Sequence, residues 1–215
     1  MPLKLHMHPL SSYCHKVLIA LYERDVPFEA CFLDLGDAKA RADFLSLWPV
    51  GQMPVLEDEA HGVVLPESSI IIEYLDRRHP DAAPMIPPDA DLALETRLQD
   101  RFFDQHVHTP MQTVTGNLLR PKSERDPFGV AQAERKLRTA YDIIERRMAG
   151  RTWAAGDRFT LADCSAAPAL FYATGRVPLG PDHPHAAAYL ERLKQRPAYA
   201  RALREAAPYF HLVPQ

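Results

Sequence analysis

The chain has 215 residues, of which 47% are hydrophobic and 25% charged, and its formal net charge is −3. This length can bury a sizeable core without disulfides, and the charge provides no basic surface for nucleic acid or anionic membranes. The three cysteines are far apart without zinc-binding spacing. The N-terminus has no apolar run long enough for a secretion signal, and no later segment approaches the ~18 uninterrupted apolar residues of a membrane span. We therefore expect a cytoplasmic protein with reduced thiols and no metal, whose partner is a small molecule or another subunit.

The chain begins with the pattern of a β-strand followed by a helix. Apolar and polar side chains alternate over residues 3–8, whereas the apolar residues of 17–21 recur at helical spacing. Ser11 and Ser12 lie at the junction, where either hydroxyl can cap the helix and the unpaired N–H groups of its first turn can bind an anion. This stretch predicts a site for an anion or a thiolate.

The following segments complete a small α/β domain. Residues 28–33 are predicted to form a second strand, 41–47 a short helix, and 55–56 with 63–65 a hairpin. Pro54 precedes the third strand, where a cis peptide bond is one way to make the bend. A helix then runs to Arg78, and its predicted apolar stripe consists of Ile70, Ile71, Tyr74 and Leu75.

The second half of the chain carries only helical patterns. A segment over 80–91 that is rich in Pro, Asp and Ala indicates a linker. Beyond it, Thr160 and Asp163 form the pattern of a capping box before an almost wholly apolar helix. The predicted helices cover 92–117, with Leu94, Leu98 and Phe102 on the apolar stripe, then 130–148, 160–172, 185–194 and 198–206. We therefore expect an α/β domain over 1–79 followed by an all-helical domain over 92–215.

Four motifs in this order resemble those of the cytosolic glutathione S-transferase family over nearly the whole chain. They are residues 11–17 (SSYCHKV), 51–56 (GQMPVL), 66–75 (PESSIIIEYL) and 159–163 (FTLAD). The resemblance implies a thioredoxin-like first domain, an all-helical second domain, a homodimer, and glutathione as co-substrate. Since the first strand has no tyrosine and a serine pair follows it, the chain is most similar to the serine-type, theta-like and zeta-like bacterial branches.

The resemblance assigns the catalytic role to Ser11 or Ser12, and by position Ser11 matches the family's serine. Its hydroxyl would donate a hydrogen bond to the glutathione thiolate. Lowering the thiol pKa from ~8.5 by about two units requires about 2.7 kcal/mol. A hydrogen bond to a charged group supplies about 1.5–3 kcal/mol, so one serine is sufficient. The alternative is that the serine merely caps the helix.

The resemblance also assigns residues to the rest of glutathione. Glu67 and Ser68 match those that hold the γ-glutamyl end, where an acidic side chain suits the ammonium and free N–H groups suit the carboxylate. A simple helix cap is the alternative for this pair. Met53, before a cis Pro54, would offer its backbone to the cysteinyl residue, and Gln52 would reach the glycyl end.

Three further residues each have a structural interpretation as an alternative to a functional one. Asp104 lies where some family members send a carboxylate into the partner subunit's site, and a solvated aspartate on a helix face is the alternative. Cys14 stands three residues after Ser11, the spacing of a redox CxxC, but it is expected to pack under the first strand. Asp163 is expected to be structural.

The resemblance implies an enzyme that activates the glutathione thiol for attack on a small hydrophobic electrophile. The electrophile would contact residues 9–10, Tyr13, His108, Met111 and the tail at 209–210. One alternative is a glutathione-dependent isomerase of the maleylacetoacetate isomerase type, although Tyr13 replaces the cysteine that usually follows that branch's serine pair. The other is a non-catalytic protein that uses the fold for interaction.

Overall fold

A computed structural model describes residues 3–34 and 36–214, and its first half is built on a four-stranded sheet. The strands are β1 (Leu3–Met7), β2 (Phe28–Phe32), β3 (Val55–Asp58) and β4 (Val63–Pro66). Their order is β2-β1-β3-β4, with β1 parallel to β2 and antiparallel to β3, and β3 and β4 forming the predicted hairpin. The helices of this half are α1 (Ser12–Glu23), α2 (Ala38–Leu47) and α3 (Ser68–Arg78).

Helix α1 lies between the sheet and the helical half. Most side chains of this helix are buried, including Cys14, Val17, Leu18 and Leu21. It packs against α3 and against two helices of the second half, at Leu161–Thr174 and Pro197–Ala206. Because α1 is covered on nearly all sides, its N-terminal turn is the part that reaches the space between the two halves.

The predicted apolar stripe of α3 is wrong by one position. Ile71 and Leu75 are fully buried as expected, but Ile70 is 48% exposed and Ile72 is buried in its place. The side chains of residues 71, 72 and 75 face α1 and the sheet, so the side chain of residue 70 points outward. Tyr74 is half-buried and donates a hydrogen bond to Asp58 at 2.7 Å.

The predicted long helix contains a π-helical turn. Helix α4 (Ala90–Phe102) continues through a π turn at Phe103–His108 into α5 (Thr109–Leu119). Pro110 has no N–H for the carbonyl four residues earlier, which favours the wider turn. The assignment of Leu94 and Leu98 to the inward face is wrong, since they are 68% and 62% exposed.

The inward face of α4 is instead small and polar. Ala93, Thr96, Gln99 and Asp100 are buried, and the last of these forms an ion pair with a buried lysine. A hydrophobic stripe therefore marks the outer surface of this helix, whereas polar pairing fills its inner face.

The remaining helices match their predictions closely. They are α6 (Pro127–Met148), α7 (Leu161–Thr174), α8 (Pro184–Gln195) and α9 (Pro197–Ala206), with 3-10 turns at Lys122–Glu124 and Ala207–Leu212. The capping box of Thr160 and Asp163 is confirmed, and α7 is buried along most of its length. Within the described residues no strand follows β4, and no helix has the length and apolar character needed to cross a membrane.

Candidate functional site

A cleft of about 1440 Å³ opens between the α/β half and the helical half. It is lined by the seven residues predicted to contact glutathione in the same chain, and by Asp104, which was predicted to reach the partner subunit's site. The seven are Ser11, Ser12, Gln52, Met53, Pro54, Glu67 and Ser68. The loop before α1, the loop before β3, the start of α3 and the π turn each contribute to this wall. The structure thus brings together residues that are up to 93 positions apart in the chain, while their binding roles stay predictions.

Ser11 is the N-cap of α1. Its Oγ accepts a hydrogen bond from the backbone N–H of Cys14 at 3.3 Å, and its own hydroxyl proton remains available for donation. The side chain is half-buried at the edge of the cleft. Capping and donation to a ligand are therefore compatible at this residue, because capping uses a lone pair and donation uses the proton.

Ser12 has a different environment from Ser11. It is mostly buried, and its hydroxyl is hydrogen-bonded to Nε2 of His108 at the end of the π turn. Tyr13 packs edge-on against the same imidazole, with ring centroids 4.1 Å apart. Sequence reasoning missed this pair because its members lie on separate domains and no local pattern marks their contact.

His108 is held in its neutral form. Burial lowers its pKa to about 4, while Asp104 acts in the raising direction and Lys16 in the lowering direction. The imidazole is therefore uncharged at neutral pH. It adds a polar but uncharged group to the cleft beside the two serines.

Cys14 is a packing residue, as predicted. It is fully buried, and burial raises its thiol pKa to about 12, although the contact with Ser11 acts in the opposite direction. A thiol with this pKa is protonated at neutral pH and inaccessible to solvent. The prediction that it packs under the first strand, away from redox chemistry, is consistent with both observations.

The loop from Gln52 to Pro54 presents its backbone to the cleft. The peptide bond between Met53 and Pro54 is cis, as predicted. Gly51, just before it, has a φ of 71°, a conformation that glycine adopts without the strain a side chain would add. Irregular backbone over these residues leaves peptide groups that are not used by the sheet.

Glu67 occupies the N-cap position of α3 with φ 72° and ψ 108°. A non-glycine residue with positive φ is strained, and such residues concentrate at functional sites. The Glu67 side chain is exposed and makes no capping hydrogen bond, so the simple-cap alternative is wrong for it. Ser68 follows as the first helical residue and is buried against the cleft wall.

Asp104 is buried, so the alternative of a solvated helix-face aspartate is wrong. Its Oδ2 accepts a hydrogen bond from Lys16 at 2.9 Å and its Oδ1 accepts one from Ser165 at 2.8 Å. Lys16 also pairs with Asp100 at 2.5 Å. Sequence reasoning missed this cluster, although a lysine directly before the apolar stretch of α1 and two acids four residues apart were available signals.

The predicted acceptor region lies on the far part of the same cleft. Leu10, Tyr13, His108, Met111 and Phe210 line it. Pro9 and Tyr209 are not among its lining residues, and Tyr209 stacks instead on Phe32 with ring centroids 5.6 Å apart. Further lining residues that sequence reasoning missed are Arg101, Thr115, Phe171, Tyr172 and Arg176. The walls therefore combine aromatic and apolar side chains with polar and charged ones, among them two arginines.

Within residues 3–34 and 36–214, no group of three or more His, Cys, Asp or Glu side chains could hold a metal ion. The three cysteines are free thiols.

Comparison with sequence families places known domains over most of the chain. Residues 5–83 match the family described as glutathione S-transferase, N-terminal domain, and residues 127–192 match glutathione S-transferase, C-terminal domain. Glutathione S-transferase 3 of Zea mays is 33% identical, covering 94% of this chain and 93% of the relative. Glutathione S-transferase F7 of Arabidopsis thaliana is 27% identical, covering 94% and 99%.

Solved structures give the same result. A glutathione S-transferase of Methylobacterium radiotolerans, crystallised with glutathione sulfonate, is 30% identical with a TM-score of 0.80, covering 94% of each chain. A glutathione S-transferase of Rhodospirillum rubrum is 27% identical with a TM-score of 0.80, covering 94% of this chain and 91% of the other. The thioredoxin-like domain followed by an all-helical domain is thereby confirmed.

Proposed function

Because the chain belongs to the glutathione S-transferase family, we propose that it is a glutathione transferase that presents the thiolate of glutathione to a small electrophile. The observation that carries this proposal is the convergence of the seven predicted glutathione contacts on one cleft beside the N-terminus of α1. Named relatives are glutathione S-transferases, which does not favour the isomerase or the non-catalytic interaction protein.

Ser11 is proposed as the main hydrogen-bond donor to the sulfur. It is at the cleft edge, its hydroxyl proton is available, and the N-terminus of α1 adds positive potential. A hydrogen bond to a charged group contributes about 1.5–3 kcal/mol and the helix N-terminus about 0.3–1 kcal/mol. Together they account for a thiol pKa about two units lower. The absence of tyrosine from β1 argues against the tyrosine-type branches, and the theta-like or zeta-like assignment stays a prediction.

The remaining contacts are proposed from the chemistry of the tripeptide. The start of α3, with the Ser68 hydroxyl and free N–H groups, suits the γ-glutamyl carboxylate, and exposed Glu67 suits its ammonium. The backbone of Met53 suits the cysteinyl peptide group, and Gln52 suits the glycyl end. The electrophile would rest on the aromatic and apolar side chains of the cleft wall.

A homodimer and a cytoplasmic location complete the proposal. The exposed Ile70, Leu94 and Leu98 flank the ion pair of Glu73 and Arg97, which joins α3 to α4. An exposed apolar patch of this kind suits contact with a second copy of the chain. The free thiols suit a reducing compartment.

The proposal is tested by binding and by titration of the bound thiol. The protein should be retained on immobilised glutathione, the thiol of bound glutathione should titrate well below ~8.5, and 1-chloro-2,4-dinitrobenzene should be conjugated. Failure to bind at millimolar glutathione would contradict the proposal and favour an interaction protein. Binding with an unshifted thiol pKa would exclude thiolate activation.

A further inference from the structure

Two polar side chains from different domains meet beside the proposed sulfur position. Ser12 is in the first turn of α1 and His108 ends the π turn, and both are buried against the cleft that they line. The Ser12 hydroxyl contacts Nε2 of His108, whereas the other imidazole nitrogen, Nδ1, is buried with no hydrogen-bond partner in the described chain. The pair joins the helical domain to the turn that carries the serines.

The unpaired Nδ1 indicates which nitrogen carries the proton. A buried N–H without an acceptor is rarer in proteins than an acceptor without a donor. The favoured tautomer therefore has its proton on Nε2 and a lone pair on Nδ1. In this tautomer Nε2–H donates to the Ser12 oxygen, which leaves the hydroxyl proton of Ser12 for another acceptor. His108 is the one hydrogen-bond partner of the Ser12 hydroxyl within residues 3–34 and 36–214.

We propose that His108 is a positioning residue that donates its Nε2–H to Ser12 and so directs the Ser12 hydroxyl to the glutathione sulfur as a second donor beside Ser11. This inference rests on the proposed function and adds the group that orients the second serine. A chain of hydrogen bonds from N–H through O–H to the thiolate strengthens each member by polarisation. On ionisation the S–H bond breaks, its proton leaves to solvent, and His108 keeps its Nε2 proton throughout.

The surroundings of His108 keep the arrangement constant during a thiol titration. The groups that face the imidazole are the Tyr13 ring, the Ser12 hydroxyl, and the charges of Asp104 and Lys16, which act on it in opposite directions. Burial holds its pKa at about 4, so the ring does not gain a proton between pH 6 and 9. A change in the bound thiol pKa on replacing His108 therefore reports the hydrogen bond and not a change of ring charge.

Three variants of His108 separate the hydrogen bond from packing. His108→Gln places an amide N–H where Nε2 lies, His108→Asn places it where Nδ1 lies, and His108→Phe keeps the ring without a donor. We expect Phe and Asn to raise the thiol pKa of bound glutathione by about 0.5–1 unit, and Gln to stay within 0.2 unit of the wild type. Glutathione affinity should change by less than about threefold, because the donor acts on the thiolate. His106→Phe is the matched control, since His106 is exposed on the same turn.

A double-mutant cycle with Ser12→Ala completes the test. In the Ser12→Ala background, His108→Phe should cause no further shift, because the effect passes through the serine. An unshifted thiol pKa in His108→Phe, or an equal shift with and without Ser12, would overturn the inference while leaving the proposed function intact. A wild-type protein that does not lower the thiol pKa would overturn both. If the Phe variant does not fold, the difference between Gln and Asn decides.

Discussion

The ammonium group of Lys16 in the α/β half donates a hydrogen bond to Oδ2 of Asp104 in the helical half at 2.9 Å. The same nitrogen lies 2.5 Å from Oδ1 of Asp100 and 2.9 Å from Oγ of Ser69. The side chains of the three charged residues are at most 6% exposed. One buried cation therefore connects α1, α3 and α4, the elements that form the cleft wall.

Replacing Lys16 with Met should destabilise the protein severely. Two buried carboxylates would lose their buried cation, with Asp104 keeping the partly exposed Arg101 at 3.4 Å, and breaking a buried pair in this way costs about 3–5 kcal/mol. The free energy of unfolding, measured by urea denaturation at pH 7, should fall by about that amount. Lys39→Met is the matched control, because Lys39 pairs with Asp43 on the exposed surface and should show no measurable loss. Equal losses in both variants would contradict the role assigned to burial.

His15 should make stability depend on pH below neutrality. Its backbone N–H donates to the Ser11 carbonyl at 2.9 Å, and its Nε2 contacts the Pro9 carbonyl at 2.5 Å, so it braces the loop behind Ser11. Burial lowers its pKa from 6.5 to about 4, although Pro9 and Glu205 act in the raising direction. Between these values the unfolded chain binds the proton and the folded chain does not. Stability is therefore present above pH 6.5 and is lost as pH falls toward 4.

The variant that checks this is His15→Gln, which keeps a donor for Pro9 and cannot titrate. Because His15 stays unprotonated in the folded protein, the free energy of unfolding of the wild type should be about 2 kcal/mol lower at pH 5 than at pH 7. The Gln variant should not show this decrease. Urea midpoints at pH 7 and pH 5 measure it. A Gln variant with the same pH dependence as the wild type would assign the loss to other groups.

The sequence predicted most elements because their signals are local. The alternation in β1, the hairpin and the capping box of Thr160 and Asp163 each depend on residues close in the chain. The inward faces of α3 and α4 were harder to predict from the sequence. Leu98 has the spacing of a core residue, but the inner face of α4 is occupied by Asp100, whose partner Lys16 lies 84 positions away. Such pairing over a long chain separation leaves no periodic signal.

At the site, too, features with a local sequence signal were predictable and contacts between distant residues were not. The capping position of Ser11 and the cis bond before Pro54 followed from local chemistry, whereas the contact of Ser12 with His108 depends on the docking of two domains and on a π turn. A π turn shifts the helical register, so periodicity taken from residues before it does not place the residues after it. His108 could be predicted to lie near the acceptor, but its hydrogen bond could not.

Glu67→Gln should weaken glutathione binding with little effect on stability. The side chain is exposed and makes no hydrogen bond to α3, so its removal loses no structural contact. Loss of a charge opposite the γ-glutamyl ammonium should raise the dissociation constant by about tenfold, equivalent to about 1.4 kcal/mol. Calorimetric titration with glutathione measures the change. Glu59→Gln is an exposed control on the β-hairpin turn. Unchanged affinity in Glu67→Gln would remove Glu67 from the proposed contacts.

Leu98→Glu should shift the protein from dimer to monomer. The leucine belongs to the exposed apolar patch with Leu94, and a buried carboxylate there would be unpaired in both subunits. Light scattering coupled to size-exclusion chromatography measures the mass. Phe128→Glu is the control, because Phe128 is an equally exposed apolar residue on α6. A Leu98→Glu protein that stays dimeric, or a wild type that is monomeric, would reject this interface.

Ser11→Ala should raise the thiol pKa of bound glutathione while leaving its binding largely intact. The lost hydrogen bond to the thiolate is worth about 1.5–3 kcal/mol, which corresponds to a pKa increase of about one to two units. The variant also loses the helix cap, which lowers the free energy of unfolding by about 1 kcal/mol.

Ser11→Asp separates the two effects, because aspartate caps a helix as well as serine does but offers no proton and repels the sulfur. It should keep the stability and raise the thiol pKa at least as much as Ala. Absorbance of the bound thiolate as a function of pH measures this. A raised pKa in Ser12→Ala with a normal value in Ser11→Ala would assign the main donor to Ser12 instead.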